Sequence, residues 1–211
     1  MRSFLTAAIL IFSLHAGANS VSKFDSMDDF LQKASLNNQA VSFRLGDLNN
    51  DGLEDWAGIL SKDRGDDPPL IRLVVLIKLR NGSYVESASS MEVEDNFRFS
   101  GSSAFDFDIK NSSIYLETTG RTCCTASSTV FQFKLHNGLW RLVGKRTSSG
   151  NTVSGEDDND DISQTEDTNM LTGLTISTVV RGKKKRERRR INKWPTYLLK
   201  DFNFSGNYAA P

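Results

Sequence analysis

Turn residues at regular intervals constrain the fold of this chain more than any other feature. Asn81-Gly82 and Asn137-Gly138 each lie between segments of alternating apolar and polar residues, and 111–113 separates a third pair of such segments. Asn-Gly readily adopts the backbone conformations that a two-residue β-hairpin turn requires. Three hairpins in succession predict an antiparallel β meander.

Between these turns, most segments show the period-two alternation of half-buried strands. We expect strands at 41–45, 56–60, 70–79, 105–110, 114–116, 130–135, 139–143 and 174–180, with a polar, proline-containing connection at 63–69. The long apolar run 70–79 predicts a central strand. Ser26 is a favourable N-cap, and Asp28 and Asp29 suit the positive end of a helix, so a short helix is expected at 26–34. The predicted fold class is mainly β (α+β), with antiparallel hairpins and one N-terminal helix in a single domain.

The N-terminal segment has the composition of an export signal. Arg2 gives a positive start, 4–14 is mostly apolar, and 16–18 supplies the small residues accepted at a cleavage site. The apolar core is shorter than the roughly 20 residues of a membrane-spanning helix. We therefore expect 1–18 to be a signal peptide and 19–211 to be one soluble, exported domain, periplasmic or secreted.

Acidic and basic residues are balanced in number but unevenly placed. The chain has 26 of each, and loss of Arg2 with the signal peptide leaves 25 basic residues. Such a balance argues against a dedicated polyanion-binding protein overall. Acidic residues crowd 156–161 and basic residues crowd 181–190. We interpret an acidic loop at 156–167 and a basic turn at 181–190 as surface elaborations of the domain.

Each charged run has a second interpretation. The run 181–190 would suggest nucleic acid in a cytosolic protein, but export favours a solvated turn or contact with an anionic envelope lipid, a cell-wall polymer or an acidic protein. In the acidic run, Asp157, Asn159 and Asp161 repeat a metal-loop spacing, yet Ile162 replaces the required glycine. A solvated acidic loop is therefore favoured there over a second ion site.

The segment D-L-N-N-D-G-L-E-D at 47–55 has a spacing that implies metal binding. Asp47, Asn49, Asp51 and Asp55 occupy positions 1, 3, 5 and 9 of the segment, and Gly52 occupies position 6. Alternate residues direct oxygen atoms to one centre, glycine permits the sharp turn, and calcium prefers six to eight oxygen ligands. The competing interpretation is a solvated turn, because Asn, Asp and Gly are ordinary turn residues. The spacing favours one calcium ion, with a structural role.

The segment 45–59 resembles the calcium loops of FG-GAP and VCBS repeats, which occur in integrin heads and exported bacterial proteins. The resemblance implies side-chain coordination by Asp47, Asn49, Asp51 and Asp55 and carbonyl coordination by Leu53. A standard EF-hand is not expected, because Gly58 stands where its bidentate glutamate would be. One complete copy of the loop also does not make a β-propeller.

The order of motifs resembles a group of exported bacterial proteins of about this size. The shared pieces lie between 45 and 173: the G-D-L-N-x-D-G-x-x-D loop, a long apolar strand, the I-K-N-S-S-I-Y-L hairpin, the Cys-Cys segment before V-F-Q-F-K-L-H-N-G-L-W, and N-M-L-T-G. This resemblance implies the compartment and the fold rather than a particular activity.

Cys123 and Cys124 are adjacent and are the only cysteines of the chain. Three states remain open: a strained vicinal disulfide, two buried thiols, and intermolecular pairing. Export to an oxidising compartment favours the vicinal disulfide, which we adopt as the prediction. A zinc site is unfavourable, because two sulfurs do not complete its tetrahedral shell.

Catalytic residues are scarce. Of two histidines, His15 would be lost with the signal peptide, and His136 lies beside a hairpin turn. The sequence thus favours a non-catalytic, calcium-binding envelope or interaction protein with an envelope or secreted protein as partner, for example an inhibitor or immunity protein. The alternative is a periplasmic hydrolase of glycans or esters that uses carboxylates around Asp106, Asp108 or Glu117.

Overall fold

Antiparallel strands make up most of the chain. The computed structural model describes residues 22–34, 38–95, 103–121, 125–151 and 162–204. Its strands are β1 (Lys23–Phe24), β2 (Asn38–Gly46), β3 (Asp55–Arg64), β4 (Asp67–Lys78), β5 (Tyr84–Ser89), β6 (Val93–Glu94), β7 (Ser103–Lys110), β8 (Ser113–Arg121), β9 (Thr125–His136), β10 (Leu139–Asn151), β11 (Ile162–Asn169), β12 (Leu174–Arg181) and β13 (Lys184–Ile191). The helical elements are α1 (Met27–Ala34) and a 3₁₀ turn (Leu199–Asp201). The predicted fold class, a mainly β domain with a short N-terminal helix, is confirmed.

The first sheet has the strand order β1-β5-β4-β3-β2, and β6 pairs with β4. The central position predicted for the apolar run 70–79 is confirmed, because β4 pairs with β3 on one side and with β5 and β6 on the other. The predicted connection at 63–69 is wrong. Only Gly65 and Asp66 connect β3 to β4, and the prolines of that segment lie at the start of β4, where a strand tolerates a missing N–H.

The second sheet is a meander of seven strands, β7 to β13, in which each strand pairs with the next one along the chain. The predicted turns at 111–113 and Asn137-Gly138 are confirmed. Asn111 and Ser112 have φ angles of 51° and 54°, and Asn137 and Gly138 have φ angles of 51° and 74°. Both pairs thus have the left-handed backbone that a tight two-residue hairpin needs.

The main core lies between the two sheets. It joins buried residues of β3 and β4 to buried residues of β7–β10, and its members include Ile59, Leu73, Phe107, Leu116, Phe131, Phe133 and Leu142. The C-terminal segment completes this core, because Phe202 lies edge-to-face against Phe131, with ring centroids 5.2 Å apart. The segment is anchored by a hydrogen bond from the Leu142 N–H to the Tyr197 carbonyl.

The other face of the first sheet is covered by α1. Phe24 and Phe30 pack there in a smaller cluster with Trp56. The predicted N-cap is confirmed, since the Ser26 hydroxyl accepts the Asp29 N–H at 3.1 Å. Neither helical element in the described ranges is long and apolar enough to cross a membrane.

Strands β11–β13 extend the second sheet beyond the core, and every residue of β13 is exposed. The predicted basic turn at 181–190 is wrong: only Gly182 and Lys183 form the turn, and the remaining basic residues lie in β12 and β13. A strand that is solvated on both faces shows no apolar alternation, which explains the error. Likewise, 162–167 belongs to β11 and is not loop. The signal segment, the acidic run 156–161 and Cys123–Cys124 lie outside the described residues.

Candidate metal centre

The loop between β2 and β3 carries the predicted calcium ligands. β2 ends at Gly46 and β3 begins at Asp55, and these residues are directly opposite one another in the ladder. Leu48, inside the loop, is buried in the main core. A Cβ atom at Gly46 would lie 2.7 Å from Cγ2 of Ile109, so β7 approaches the base of the loop closely. The loop is therefore held both at its base and by an internal side chain.

Three of the predicted ligand side chains accept hydrogen bonds from the backbone of their own loop. The Asp47 carboxylate accepts the N–H groups of Asp51 at 3.1 Å and Gly52 at 3.0 Å. The Asn49 side-chain oxygen also accepts the Asp51 N–H at 3.0 Å, and the Asp51 carboxylate accepts the Leu53 N–H at 2.9 Å. Gly52 has a φ angle of +84°, where glycine is favoured. These bonds gather the side-chain oxygens on the inside of one tight turn.

Asp55 lies at the base of the loop and is fully buried. Its two oxygens accept the N–H groups of Leu48 at 2.8 Å and Lys78 at 2.9 Å. Burial raises the pKa of the Asp55 carboxyl; the two hydrogen bonds lower it, and the negative charges of Asp51 and Asp47 raise it further. Asp51 and Asp47 are thus close enough to repel the ionised Asp55 carboxylate, and a cation among them would relieve that repulsion.

The donor set fits calcium in its chemistry: three carboxylates, one amide oxygen and the backbone carbonyls of a loop. In the described part of the chain, no group of three or more His, Cys, Asp and Glu side chains is arranged as a metal shell. The carboxylate oxygens of the loop accept backbone N–H groups instead. In addition, Asn49 Nδ2 donates to Asp51 Oδ2 at 2.9 Å. A carboxylate oxygen that accepts one hydrogen bond retains a lone pair for a cation. The assignment of Asp47, Asn49, Asp51, Leu53 and Asp55 as ligands stays a prediction.

The loop also contacts the second sheet, which the sequence did not predict. The Ser112 hydroxyl donates to the Asn50 side-chain oxygen at 2.6 Å, and the two residues are 62 positions apart in the chain. Both have left-handed φ angles, 54° for Ser112 and 62° for Asn50. The loop therefore bridges the two sheets, so an ion that rigidified it would stabilise their packing.

The candidate catalytic carboxylates stand on the outer face of the second sheet, which is the face opposite to that of the core residue Phe107. Asp106 is directly opposite Glu117 in the β7–β8 ladder, and Asp108 is two residues farther along on the same face. The Lys110 ammonium donates a hydrogen bond to the Asp108 carboxylate. This pairing lowers the pKa of the Asp108 carboxyl and raises the pKa of the Lys110 ammonium. Asp108 is thus held in its ionised form, which does not suit a general acid. The structure brings Asp106 and Glu117 together as neighbours.

The basic residues of β13 are divided between the two faces of the second sheet. Arg190 is opposite Thr175, Thr175 is opposite Thr168, Thr168 is opposite Lys145, and Lys145 is opposite Phe131. Residues directly opposite one another share a face. Arg190 therefore lies on the face that carries the core residue Phe131, which we call the inner face.

Cations predominate on the inner face beyond the core. This inner basic face comprises Lys145, Arg181, Lys184, Arg186, Arg188 and Arg190. The one carboxylate that the register of the described β10–β13 residues places among them is Glu166, which accepts hydrogen bonds from Arg190 at 2.9 Å and from the Ser177 hydroxyl at 3.1 Å. The outer face is more nearly balanced, because Arg146 pairs with Asp167 and Arg189 with Glu187. This asymmetry could not be predicted from the sequence, because basic residues of β13 lie on both faces of the sheet.

Comparison of the chain with protein-family models, with curated proteins and with solved structures gave no match. A function for this chain must therefore be inferred from its residue chemistry and geometry.

Proposed function

We propose that this protein is an exported, non-catalytic binding protein that holds an anionic polymer of the cell envelope on its inner basic face. One calcium ion at the 47–55 loop would stabilise its fold. The observation that carries the proposal is the charge asymmetry of the second sheet: six cations share one face with a single carboxylate among the described β10–β13 residues. These cations lie in the part of the sheet whose outermost strand is exposed at every residue.

The spacing of the cations supports a linear polymer as the ligand. Alternate residues of an antiparallel strand lie about 6.8 Å apart, so Lys184, Arg186, Arg188 and Arg190 form a row about 20 Å long. A polymer with repeated negative charges can contact several members of such a row at once, whereas a small anion contacts one or two. Because the side chains are exposed, salt will screen the attraction, with a Debye length of about 8 Å at physiological ionic strength.

Removal of two inner-face cations should weaken binding far more than removal of two outer-face cations from the same strand. With fluorescein-labelled heparin as a stand-in for an anionic glycan, we expect Arg186→Gln combined with Arg188→Gln to raise the Kd about tenfold. That change corresponds to about 1.4 kcal/mol. The slope of log Kd against log salt should fall by about two. Lys185→Gln combined with Arg189→Gln is the matched control and should change the Kd much less.

Fluorescence anisotropy at several salt concentrations measures all three proteins, and neutral dextran serves as the uncharged ligand. Equal losses in the two double variants would contradict a role for the inner face. Binding that did not depend on salt would contradict an electrostatic mode altogether. Tighter association with anionic lipid vesicles than with heparin would transfer the proposal to the membrane surface.

Hydrolysis of glycans or esters is the second candidate function, and the Asp106–Glu117 pair is the observation that favours it. Residues directly opposite in an antiparallel ladder have Cβ atoms about 4.5–5.5 Å apart, so the two side chains can bring their carboxyl groups to the separation of about 5–5.5 Å found in retaining glycosidases. Under the binding proposal, the mature protein should not turn over chromogenic glycosides or esters. Turnover that disappeared in Asp106→Asn or Glu117→Gln, with an unchanged melting temperature, would favour the hydrolase.

A further inference from the structure

A groove of about 890 Å³ lies where β1, α1, β5 and the 3₁₀ turn meet. Cavities that hold ligands commonly have volumes of about 300–1,000 Å³, so the groove can hold much more than a simple ion. It lies on the first sheet and contains no residue of β10–β13, so a ligand bound in the groove would not occupy the inner basic face.

One side of the groove is an open strand edge. β5 has six residues, but β1 pairs only with Tyr84 and Val85. Beyond the other end of β5, the Met91 N–H donates to the Phe202 carbonyl at 3.2 Å, so the C-terminal segment covers the backbone there. Between these two points, no strand in the described ranges pairs with 86–89 on this side. Among the described residues, about 13 Å of this edge therefore has no partner strand.

Cations outnumber carboxylates in the lining of the groove. Lys23 of β1, Lys33 of α1, Arg72 of β4 and Lys200 of the 3₁₀ turn all line it, and Glu86 is the one carboxylate in the lining. Four different elements thus contribute a positive charge to one concave surface. This arrangement favours a ligand that carries several negative charges.

Arg72 is the most deeply placed of these cations, with only 19% of its side chain exposed. Its Nε atom is buried and has no hydrogen-bond partner among the described residues. An oxygen of Glu92 lies 3.8 Å from it, which is too far for a hydrogen bond. Lys33 has a closer ion pair, with Asp29 at 2.8 Å. Because Arg72 has only this long ion pair to Glu92 in the described part of the chain, a carboxylate that entered the groove would be attracted to the exposed part of its guanidinium group.

Part of the remaining lining is apolar, although the two phenylalanines in it are largely buried. Phe24 and Phe30 meet edge-to-face, with ring centroids 4.9 Å apart, and Ala88 lies in the open part of β5. Side chains of a strand alternate between two faces. An extended segment along the β5 edge would therefore bring both acidic and apolar side chains to the groove.

We propose that this groove binds an extended acidic segment of a partner protein, which pairs with the open edge of β5 as an additional strand. Backbone hydrogen bonds to 86–89 supply the register, as in other cases of strand addition. The cations at Lys23, Arg72 and Lys200 select for acidic residues.

The test uses the mature protein and a defined probe, a capped peptide of alternating glutamate and valine about eight residues long. We expect the peptide to bind and to slow the amide hydrogen exchange of 86–89. Lys23→Glu combined with Lys200→Glu should raise its Kd at least tenfold. Lys134→Glu combined with Lys193→Glu, a matched change at exposed lysines outside the groove, should leave the Kd unchanged. Melting curves show whether each variant is folded.

Several results would overturn the proposal. One is absence of binding by the acidic peptide, and another is equal binding by a peptide of alternating lysine and valine. Equal binding by a backbone N-methylated form of the acidic peptide would exclude strand addition. Displacement of the peptide by inorganic phosphate or glutarate, at a concentration equal to that of the peptide, would show that the groove is a site for small anions instead. Self-association of the protein that buried 86–89 would mean that a second copy occupies the groove.

Discussion

Calcium should raise the melting temperature of the mature protein, and a chelator should remove the increase. At a calcium concentration of 100 times the Kd, binding adds about 2.7 kcal/mol to the free energy of unfolding. For a chain of this length that corresponds to about 5–10 °C. The physical reason is the repulsion that Asp47 and Asp51 exert on the ionised Asp55 carboxylate. A bound cation would relieve this repulsion. Differential scanning calorimetry with calcium and with a chelator measures the shift.

Asp51→Ala is the informative variant, because it removes a predicted ligand whose hydrogen bond with the backbone, from the Leu53 N–H, is exposed. The variant should lose the response to calcium while remaining folded. Asp66→Ala, in the exposed β3–β4 turn, should keep the full response. If calcium changed the melting temperature of neither the wild type nor either variant, the loop would be a polar turn without an ion. The proposal for the inner basic face would be unaffected.

The turns and most strands could be predicted because their signals are local. Asn137-Gly138 adopts φ angles of 51° and 74°, and few residue pairs other than Asn-Gly tolerate such angles without strain. The run that forms β4 is apolar enough to require burial on both faces, which places it at the centre of a sheet. These features depend on neighbouring residues alone, so the sequence contains them directly.

The extent of β13 could not be predicted, because it depends on pairing and not on burial. Residues of β13 alternate between faces as in any strand, but every one is exposed and almost all are basic. Its neighbour β12 supplies the hydrogen-bond ladder from Leu174 to Arg181. Charge that is repeated on both faces leaves no period-two signal, and a turn was the natural but incorrect prediction.

For the candidate metal centre, the sequence predicted the ligand types and their spacing but not their surroundings. Asp55 occupies position 9 of a calcium-type loop, yet one of its hydrogen-bond donors is the Lys78 N–H, which is 23 residues away. The contact between Asn50 and Ser112 depends on how the two sheets pack. Such long-range partners follow from tertiary structure and leave no trace in local spacing.

Asp55→Ala should destabilise the protein more than any other single substitution in the loop. The carboxylate accepts two backbone N–H groups, those of Leu48 and Lys78, and the residue is fully buried. Its removal leaves both donors without an acceptor, at roughly 1–3 kcal/mol each. We expect a loss of about 4 kcal/mol in a chelator, or roughly 8–16 °C in melting temperature. Asp55→Asn keeps one acceptor oxygen and should lose less, and a loss below about 1 kcal/mol in Asp55→Ala would contradict this role.

The pH dependence of the same carboxylate should change sign with calcium. Burial raises the pKa of folded Asp55 above its unfolded value of about 3.9. The folded state then binds the proton more tightly, so the resulting stability is fully present below the unfolded pKa and is lost as the pH rises through the folded pKa. In a chelator, the wild type should therefore gain stability relative to Asp55→Asn between about pH 7 and pH 4. With calcium, protons compete with the ion for the carboxylates, and the same acidification should cost the wild type stability. The measured quantity is the stability of the wild type minus that of Asp55→Asn. If acid lowered this difference both in a chelator and with calcium, the raised pKa would be contradicted. If acid increased it under both conditions, calcium coordination by Asp55 would be contradicted.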